Sequence, residues 1–574
     1  VIRAAARRRQ ALVIALAVLG TTSLAACTAG TATDTGRPGA AAASADPADR
    51  PDLRRFYGQR LAWRACDGSY ECAELTVPRD YSRPGDGKTF VLPVARAVTS
   101  AAEKRIGSLL YNPGGPGERG VQALKDGLAD DLGRGVRERF DIVSFDPRGV
   151  GESRPALTCL TGTEAEVADS EAKPDTASPD SADTPLYPRT GPERAAALAG
   201  ARATADACRK ASGPLLPHVG TDDAARDLDV LRAALGERKL TYVGWSYGTS
   251  LGTSYAEQFP RRVRAMVLDG AVDPSLDWRQ RMFNQATGFR DAVADYADSC
   301  AATVGDACPG ATPDDIRALI DRLLRRTQAD PLPVDGSEEG LDAAGLVSAL
   351  SLSMYTPEAQ WQALSEALRA ADGADGDGNG DGTKLAALAT EGGEDEPGPS
   401  DDESEESEES DDTEASPSDA PAAPSAPSAP SAPAVPEDNS DAALIAVNCL
   451  DVPHPRDERA YWNALAPADE AAGVYGTSSL TSELVCKDWP AGHQRPHRVN
   501  APGVPPVLVV GTAGDPATPY SEAVGLARQF PGGMLLTFEG AGHTGYGRNA
   551  CVDRKVEAYL VSLTKVRPGT TCSP

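Results

Sequence analysis

The 574-residue sequence is short of several things that other protein classes need. Histidine occurs five times, lysine ten times against 46 arginines, and aromatic residues make up only 5%. There are eleven cysteines, but no two stand as C-x-x-C, so the spacing of a structural zinc site is missing and no metal is expected. Asp375-Gly376-Asp377-Gly378-Asn379-Gly380 mimics the start of a calcium loop, yet its twelfth position is Ala386, where a bidentate acid is required. No basic patch follows the N-terminal arginines, which removes the electrostatic footprint of a nucleic-acid partner. Nothing in the sequence asks for a cofactor. The net charge of −28 is local: residues 372–441 hold 22 Asp or Glu and one Lys, a balance of −21, which leaves the remainder near −7.

The N-terminus reads as an export signal. Arg3, Arg7, Arg8 and Arg9 precede an apolar stretch at 11–24 that is too short for a comfortable membrane span. It ends in Leu24-Ala25-Ala26-Cys27, which resembles a bacterial lipobox. That resemblance implies that 1–27 is a lipoprotein signal peptide, that Cys27 is lipidated, and that the protein is exported and held on the outer face of the membrane; the alternative is an ordinary signal peptide cut near Ala25–Ala29, which leaves the protein secreted. Residues 28–52, rich in Thr, Ala, Gly and Pro, are expected to be a flexible tether. The other ten cysteines form an even set, as an oxidising compartment favours. The simplest pairing joins neighbours: Cys66 with Cys72, Cys159 with Cys208, Cys300 with Cys308, Cys449 with Cys486 and Cys551 with Cys572.

Strand-like runs lie at 90–98, 108–111, 141–145, 240–243, 265–268, 506–510 and 534–538. Several are unbroken apolar runs, as strands buried on both faces should be, and helical patterns such as 224–235 and 250–258 separate them. This alternation predicts an α/β fold with a mostly parallel sheet and helices on both faces. After Leu268 the strand rhythm stops until Pro505. Helical periodicity fills 280–300, 314–326, 341–354 and 358–371 instead. A core in two parts, 53–271 and 501–574, is therefore expected to carry a helical cap over 272–500. Within the cap, 372–441 reads as a disordered acidic Ser/Pro/Ala insert that lacks the apolar content to fold alone.

The chemistry concentrates at Val243-Gly244-Trp245-Ser246-Tyr247-Gly248. A short apolar strand runs into a serine between glycines, and a helix follows: the nucleophile elbow of an α/β-hydrolase. A second G-x-S-x-G overlaps the first at Ser250, but Ser250 falls a turn into the helix, so Ser246 is the candidate nucleophile. The fold places its acid and histidine later in the chain. His218 precedes the serine, and His454, His493 and His497 lie in proline-rich sequence. His543 follows a strand on a Gly-Ala-Gly loop and is the candidate base. Asp515, in Gly514-Asp515-Pro516 after the 506–510 strand, is the candidate acid. Asp553 competes but follows the histidine and starts a helix. The oxyanion hole needs two main-chain N–H donors. Tyr247, just after the nucleophile, and Gly115, in Asn112-Pro113-Gly114-Gly115-Pro116-Gly117, are the candidates.

Together, the 112–117 loop, Phe145-Asp146-Pro147-Arg148-Gly149-Val150-Gly151-Glu152-Ser153, the elbow, Gly514-Asp515-Pro516-Ala517-Thr518-Pro519 and Gly542-His543-Thr544 resemble the secreted tripeptidyl aminopeptidases of actinomycetes. These belong with the prolyl-iminopeptidase-like serine peptidases. Trp63-x-x-Cys66 with Cys72-Ala73-x-Leu75-x-Val77-Pro78-x-Asp80-Tyr81, and Ala446-Val447-Asn448-Cys449-x-Asp451, resemble further blocks of that family. The likeness covers about 55–370 and 442–574. It implies an exported, monomeric serine exopeptidase that acts on peptides with a free N-terminus and releases short ones, expected to be tripeptides, through an acyl-enzyme. Family members hold the substrate's amino group with acids of the cap; Asp291, Asp295, Glu358 and Glu366 are the candidates here. Glu118-Arg119 replaces the small pair usual after the glycine loop, and the acidic insert lies outside the family pattern. A carboxylesterase or lipase on the same triad is the alternative, because acyl transfer to serine is shared chemistry. A surface binding protein that uses the acidic insert is a third reading, and the complete triad argues against it as the main role.

Overall fold

A computed structural model describes residues 50–159, 186–303, 307–373, 380–390, 438–490, 492 and 495–574. The segment expected to be a signal peptide, with Cys27, nearly all of the expected tether, the calcium-loop mimic up to Asn379 and most of the acidic insert lie outside these residues.

Twelve strands are present among the described residues. They are β1 (Arg64–Cys66), β2 (Tyr70–Pro78), β3 (Thr89–Ala97), β4 (Gly107–Asn112), β5 (Phe140–Phe145), β6 (Leu240–Trp245), β7 (Val263–Asp269), β8 (Leu332–Val334), β9 (Ser337–Leu341), β10 (Leu508–Gly514), β11 (Met534–Ala541) and β12 (Thr570–Cys572). Ten of them form one sheet in the order β1-β2-β3-β5-β4-β6-β7-β10-β11-β12. The first four strands in that order are antiparallel neighbours, and from β5 onward every pairing is parallel. This is the α/β-hydrolase fold, as expected.

All six residues of β4 and of β5 are buried, so both faces of these strands are covered, with Asp141 and Ser144 among the buried polar residues. Successive residues still face opposite sides. Leu110, Val143, Tyr242, Met266 and Val509 enter one core cluster, with the helices Thr221–Ala234 and Tyr247–Gln258. Their neighbours Leu109, Ile142, Val243, Val267 and Leu508 enter the other, with the helix Ala550–Ser562. A buried ion pair ties the first face together. Arg148 donates to both oxygens of Asp227, at 2.6 and 2.5 Å, and to the carbonyls of Pro78, Arg79 and His218. Tyr81 donates to the same carboxylate at 2.8 Å. Removing either charge would strand its partner in the core, so Arg148 in the 145–153 block is an architectural residue.

Between β7 and β10 the chain builds a separate helical core. The helix Pro313–Thr327 shows why it folds: Thr312 caps it, proline opens it, and Ile316, Leu319, Ile320, Leu323 and Leu324 lie on one buried face. These side chains pack with the helices Trp278–Thr303, Ala343–Leu352 and Pro357–Ala371 and with Ala472 and Tyr475. The β8–β9 hairpin joins this core without touching the main sheet order.

Two expectations about this segment need correcting. The range 372–441 is not unstructured throughout. The helix Thr383–Ala389 packs on the cap through Leu385, which is fully buried, and Gly382 N–H donates to the Pro333 carbonyl at 2.7 Å. A seven-residue Thr-Lys-Leu-Ala-Ala-Leu-Ala piece carries one good anchor, too little to stand out inside an acidic run. The range 272–500 is also not all cap. The helix Ser440–Asp451 buries Ala443, Ala446, Cys449 and Leu450 in the main core, and Asn439 holds Gly149, Gly151 and Leu157 through three hydrogen bonds. The helix Gly191–Ser212, conversely, lends Ala197 and Leu198 to a cluster with Met282, Tyr461 and Leu465 of the cap segment.

The structure brings together the five cysteine pairs expected from order along the chain. No described helix is long and apolar enough to cross a membrane.

Candidate active site

Strand β6 ends where its backbone stops being extended. Ser246 has φ 53° and ψ −122°, and the helix Tyr247–Gln258 begins at the next residue. Positive φ is costly for a residue with a side chain, so neighbours must impose it. Ser246 N–H donates to the Asp269 carbonyl at 2.9 Å. The Ser246 carbonyl accepts the N–H of Thr249 at 2.9 Å and its hydroxyl at 2.6 Å. The flanking glycines leave room for the corner: a Cβ on Gly248 would lie 2.8 Å from Asn112 Oδ1. Ser250 sits a turn further on and lines a cleft with Tyr247, Asp451 and Arg281.

His543 and Asp515 meet at the ends of β11 and β10. His543 Nδ1 lies 2.9 and 3.0 Å from the two carboxylate oxygens of Asp515, and both residues are buried. Asp515 also accepts the N–H groups of Ala517 (3.0 Å) and Thr518 (2.8 Å) and the Thr518 hydroxyl (3.1 Å), which fixes its rotamer. His543 Nε2 is buried and makes no hydrogen bond among the described residues. Burial alone would push the imidazole pKa down. The charge and hydrogen bond of Asp515, helped by Asp269, outweigh it, and the net direction is up.

The glycine loop after β4 lies against the nucleophile. Gly114 has φ 120°, and a Cβ there would stand 2.9 Å from the Trp245 carbonyl and 3.0 Å from Ser246 Cβ. Gly115 follows with φ 93°. Tyr247 is the first residue of its helix, so its N–H has no intrahelical acceptor. The structure thus gathers Ser246, the 114–115 loop and the Tyr247 amide on one side, and the His543–Asp515 pair on the other.

Asp269 joins the two halves, and the sequence reading passed over it. It closes β7, its carbonyl holds Ser246, and its fully buried carboxylate accepts Gly545 N–H at 3.0 Å and Tyr546 N–H at 2.7 Å. Burial lifts its pKa to about 6 against the opposing pull of those amides. Gly270, next in line, leaves space for the imidazole: a Cβ there would meet His543 Cε1 at 2.8 Å. An acid that ends the buried run Met266-Val267-Leu268 was the available signal.

The cap acids suggested for the substrate's amino group have other engagements. Asp291 pairs with Arg290, Glu366 with Lys384 and Glu358 with Arg548. Asp295 is exposed, and partial desolvation followed by its neighbours Asp291 and Asp298 raises its pKa. His454, Glu483 and Cys486 cluster as metal ligands might, but the Cys486 sulfur is bonded to Cys449.

Chemically, this set supports acyl transfer. That chemistry needs an imidazole to take a serine proton, an acid to stabilise the imidazolium and main-chain amides for the oxyanion, and these residue types are the ones gathered here.

Comparison with known proteins agrees. An α/β-hydrolase-fold family model matches residues 107–306, and a TAP-like protein model matches 472–572. Tripeptidyl aminopeptidase of Streptomyces lividans is 31% identical over 528 residues, covering 90% of this chain and 87% of that protein. The chain belongs to the tripeptidyl-aminopeptidase-like family of α/β-hydrolases. Serine protease Hip1 of Mycobacterium tuberculosis is 35% identical over 545 residues, covering 90% of this chain and 91% of that protein. Carboxylesterase B of the same species is 32% identical over 522 residues, covering 88% and 86%. The chain is a serine hydrolase of this family, of the serine peptidase type.

Proposed function

We propose that this family member is an exported serine exopeptidase that releases short peptides, mainly tripeptides, from free N-termini. The observation that carries the reading is the match over nearly the whole length of a named tripeptidyl aminopeptidase, together with the Ser246, Asp515 and His543 arrangement. In this reading Ser246 is the nucleophile, His543 the base, Asp515 the acid, and the amides of Gly115 and Tyr247 bind the oxyanion. The acyl-enzyme forms as the peptide nitrogen leaves with the proton from His543, and water then releases the peptide. Five disulfides support an oxidising compartment, and the lipobox-like segment at Cys27 supports a membrane tether. A monomer is sufficient, since every proposed catalytic group comes from one chain.

A panel of chromogenic substrates tests this: free and N-acetylated mono-, di- and tripeptide anilides beside short acyl esters. A buried cationic amine needs a partner, so acetylating the best tripeptide anilide should lower kcat/KM at least about 10²-fold. Equal cleavage of free and blocked peptides would sink the exopeptidase reading. The likeness to a carboxylesterase favours the second reading, which wins if esters alone are cut.

A further inference from the structure

We propose that cap residues 355–358 form a latch that positions the catalytic histidine, with Glu358 as its charged end. Seating the cap and aligning the base are then one event. The inference rests on His543 being the base.

Four contacts converge on the short loop that carries His543. Its main-chain N–H donates to the Tyr355 carbonyl at 2.9 Å. The Tyr355 ring meets the imidazole edge-on, with centroids 5.2 Å apart and planes at 76°. Pro357 presses on the preceding residue: a Cβ on Gly542 would lie 2.5 Å from Pro357 Cδ. Arg548 supplies the fourth. Its guanidinium donates to the carbonyls of Ala541 (2.8 Å), His543 (3.2 Å) and Thr544 (2.9 Å), and its Nη2 reaches both oxygens of Glu358 at 2.8 and 2.9 Å.

The chemistry gives each part a job. Three carbonyls on one guanidinium hold the loop in a single turn, and a cap carboxylate balances the cation. Arg548 is 15% exposed and Glu358 66% exposed, so the rivet is anchored on the core side and reached from the cap side. Tyr355 and Glu358 flank the start of the helix Pro357–Ala371, whose Leu364, Ala367 and Leu368 are buried in the cap core. The latch therefore moves with the cap. Glu358 acts through Arg548 and the loop, and is a positioning residue.

The test is Glu358→Gln in the full-length protein, an exposed and nearly isosteric change that should leave the fold intact. We expect kcat to fall about fivefold, near 1 kcal/mol in the tenfold-per-1.36 conversion, with KM within twofold. The factor should be the same for a free tripeptide anilide, a short acyl ester and the rate of fluorophosphonate labelling, because alignment of His543 serves all three. Glu358→Asp should restore part of the loss. An exposed pair is screened by salt, so wild-type kcat should drop toward the variant's between low salt and about 1 M, while the variant stays flat. Unchanged kcat in all assays would overturn the latch. A loss confined to free-amine substrates with a raised KM would also overturn it, and would assign Glu358 to the substrate's amino group. Ester turnover and labelling do not depend on peptide specificity, so a failed peptidase reading leaves this test intact.

Discussion

Replacing Asp269 by Asn probes the join between the two halves of the site. The native carboxylate accepts Gly545 and Tyr546 N–H groups from one side, while the Asp269 carbonyl holds Ser246 from the other. Both amides reach one oxygen, Oδ2, and Gly545 N–H also lies 3.2 Å from Oδ1, so an Asn weakens two charge-assisted bonds and sets its NH₂ against the Gly545 donor. That costs about 1–3 kcal/mol and should lower Tm by a few degrees. The catalytic cost should be larger than the stability cost suggests. The Gly545 and Tyr546 amides follow His543 directly, and a shift of about 1 Å in a catalytic group can cost roughly 10²-fold in rate. The charge has a separate signature. Asp269 helps to raise the His543 pKa, so removing it lowers that pKa and leaves the imidazole neutral at lower pH. The acid limb of kcat/KM should move to lower pH while the plateau falls. Profiles between pH 4 and 9 on a short acyl ester, with Tm measured alongside, read both effects. A plateau within twofold of wild type and an unmoved acid limb would refute the reasoning.

Three further outcomes are expected. Ser246→Ala should abolish turnover and fluorophosphonate labelling, at a cost of about 10⁴-fold or more, whereas Ser250→Ala should fold and label normally; mass spectrometry of the labelled peptide decides between them. Asp515→Asn should lower kcat by about 10⁴-fold by releasing the histidine tautomer, and its acid limb should lie below the wild type's, because Asp515 raises the His543 pKa from 6.5. Deleting 391–437 should leave Tm and ester turnover near wild type, since this acidic Ser/Pro/Ala sequence has too little apolar content to join a core. Extending the deletion back to residue 380 removes buried Leu385 and should cost about 2–3 kcal/mol, read by chemical denaturation.

The parallel half of the fold was readable because its strands are buried on both faces. Leu240 to Val243 and Pro506 to Val510 needed no partner to be recognised. The edge strands β1 and β12 were not, because three residues such as Thr570–Cys572 carry no periodicity and are defined only by the neighbour they pair with. Ser246, Asp515 and His543 stood out as candidates because turn chemistry surrounds each of them, and the Asp515–His543 contact was legible from it. Asp269 was not, since its role is set by two amides 276 and 277 residues away. Glu358 was noticed for its charge alone. Its engagement with Arg548 depends on a contact 190 residues long, and no local pattern announces it.

The disulfides divide the chain into self-contained intervals. Each bridge joins cysteines adjacent in order, with separations of 6, 49, 8, 37 and 21 residues, and no bridge encloses or crosses another. A polypeptide that emerges N-terminus first meets each partner before the next pair appears, so oxidation in order of emergence gives the native pairing without reshuffling. Loop-closure entropy values the bridges at about 2 kcal/mol for the shortest and about 4 kcal/mol for the longest. The acidic stretch 391–437 falls between Cys308 and Cys449, outside every closed loop. Its length can therefore drift without changing the entropy of a single crosslink.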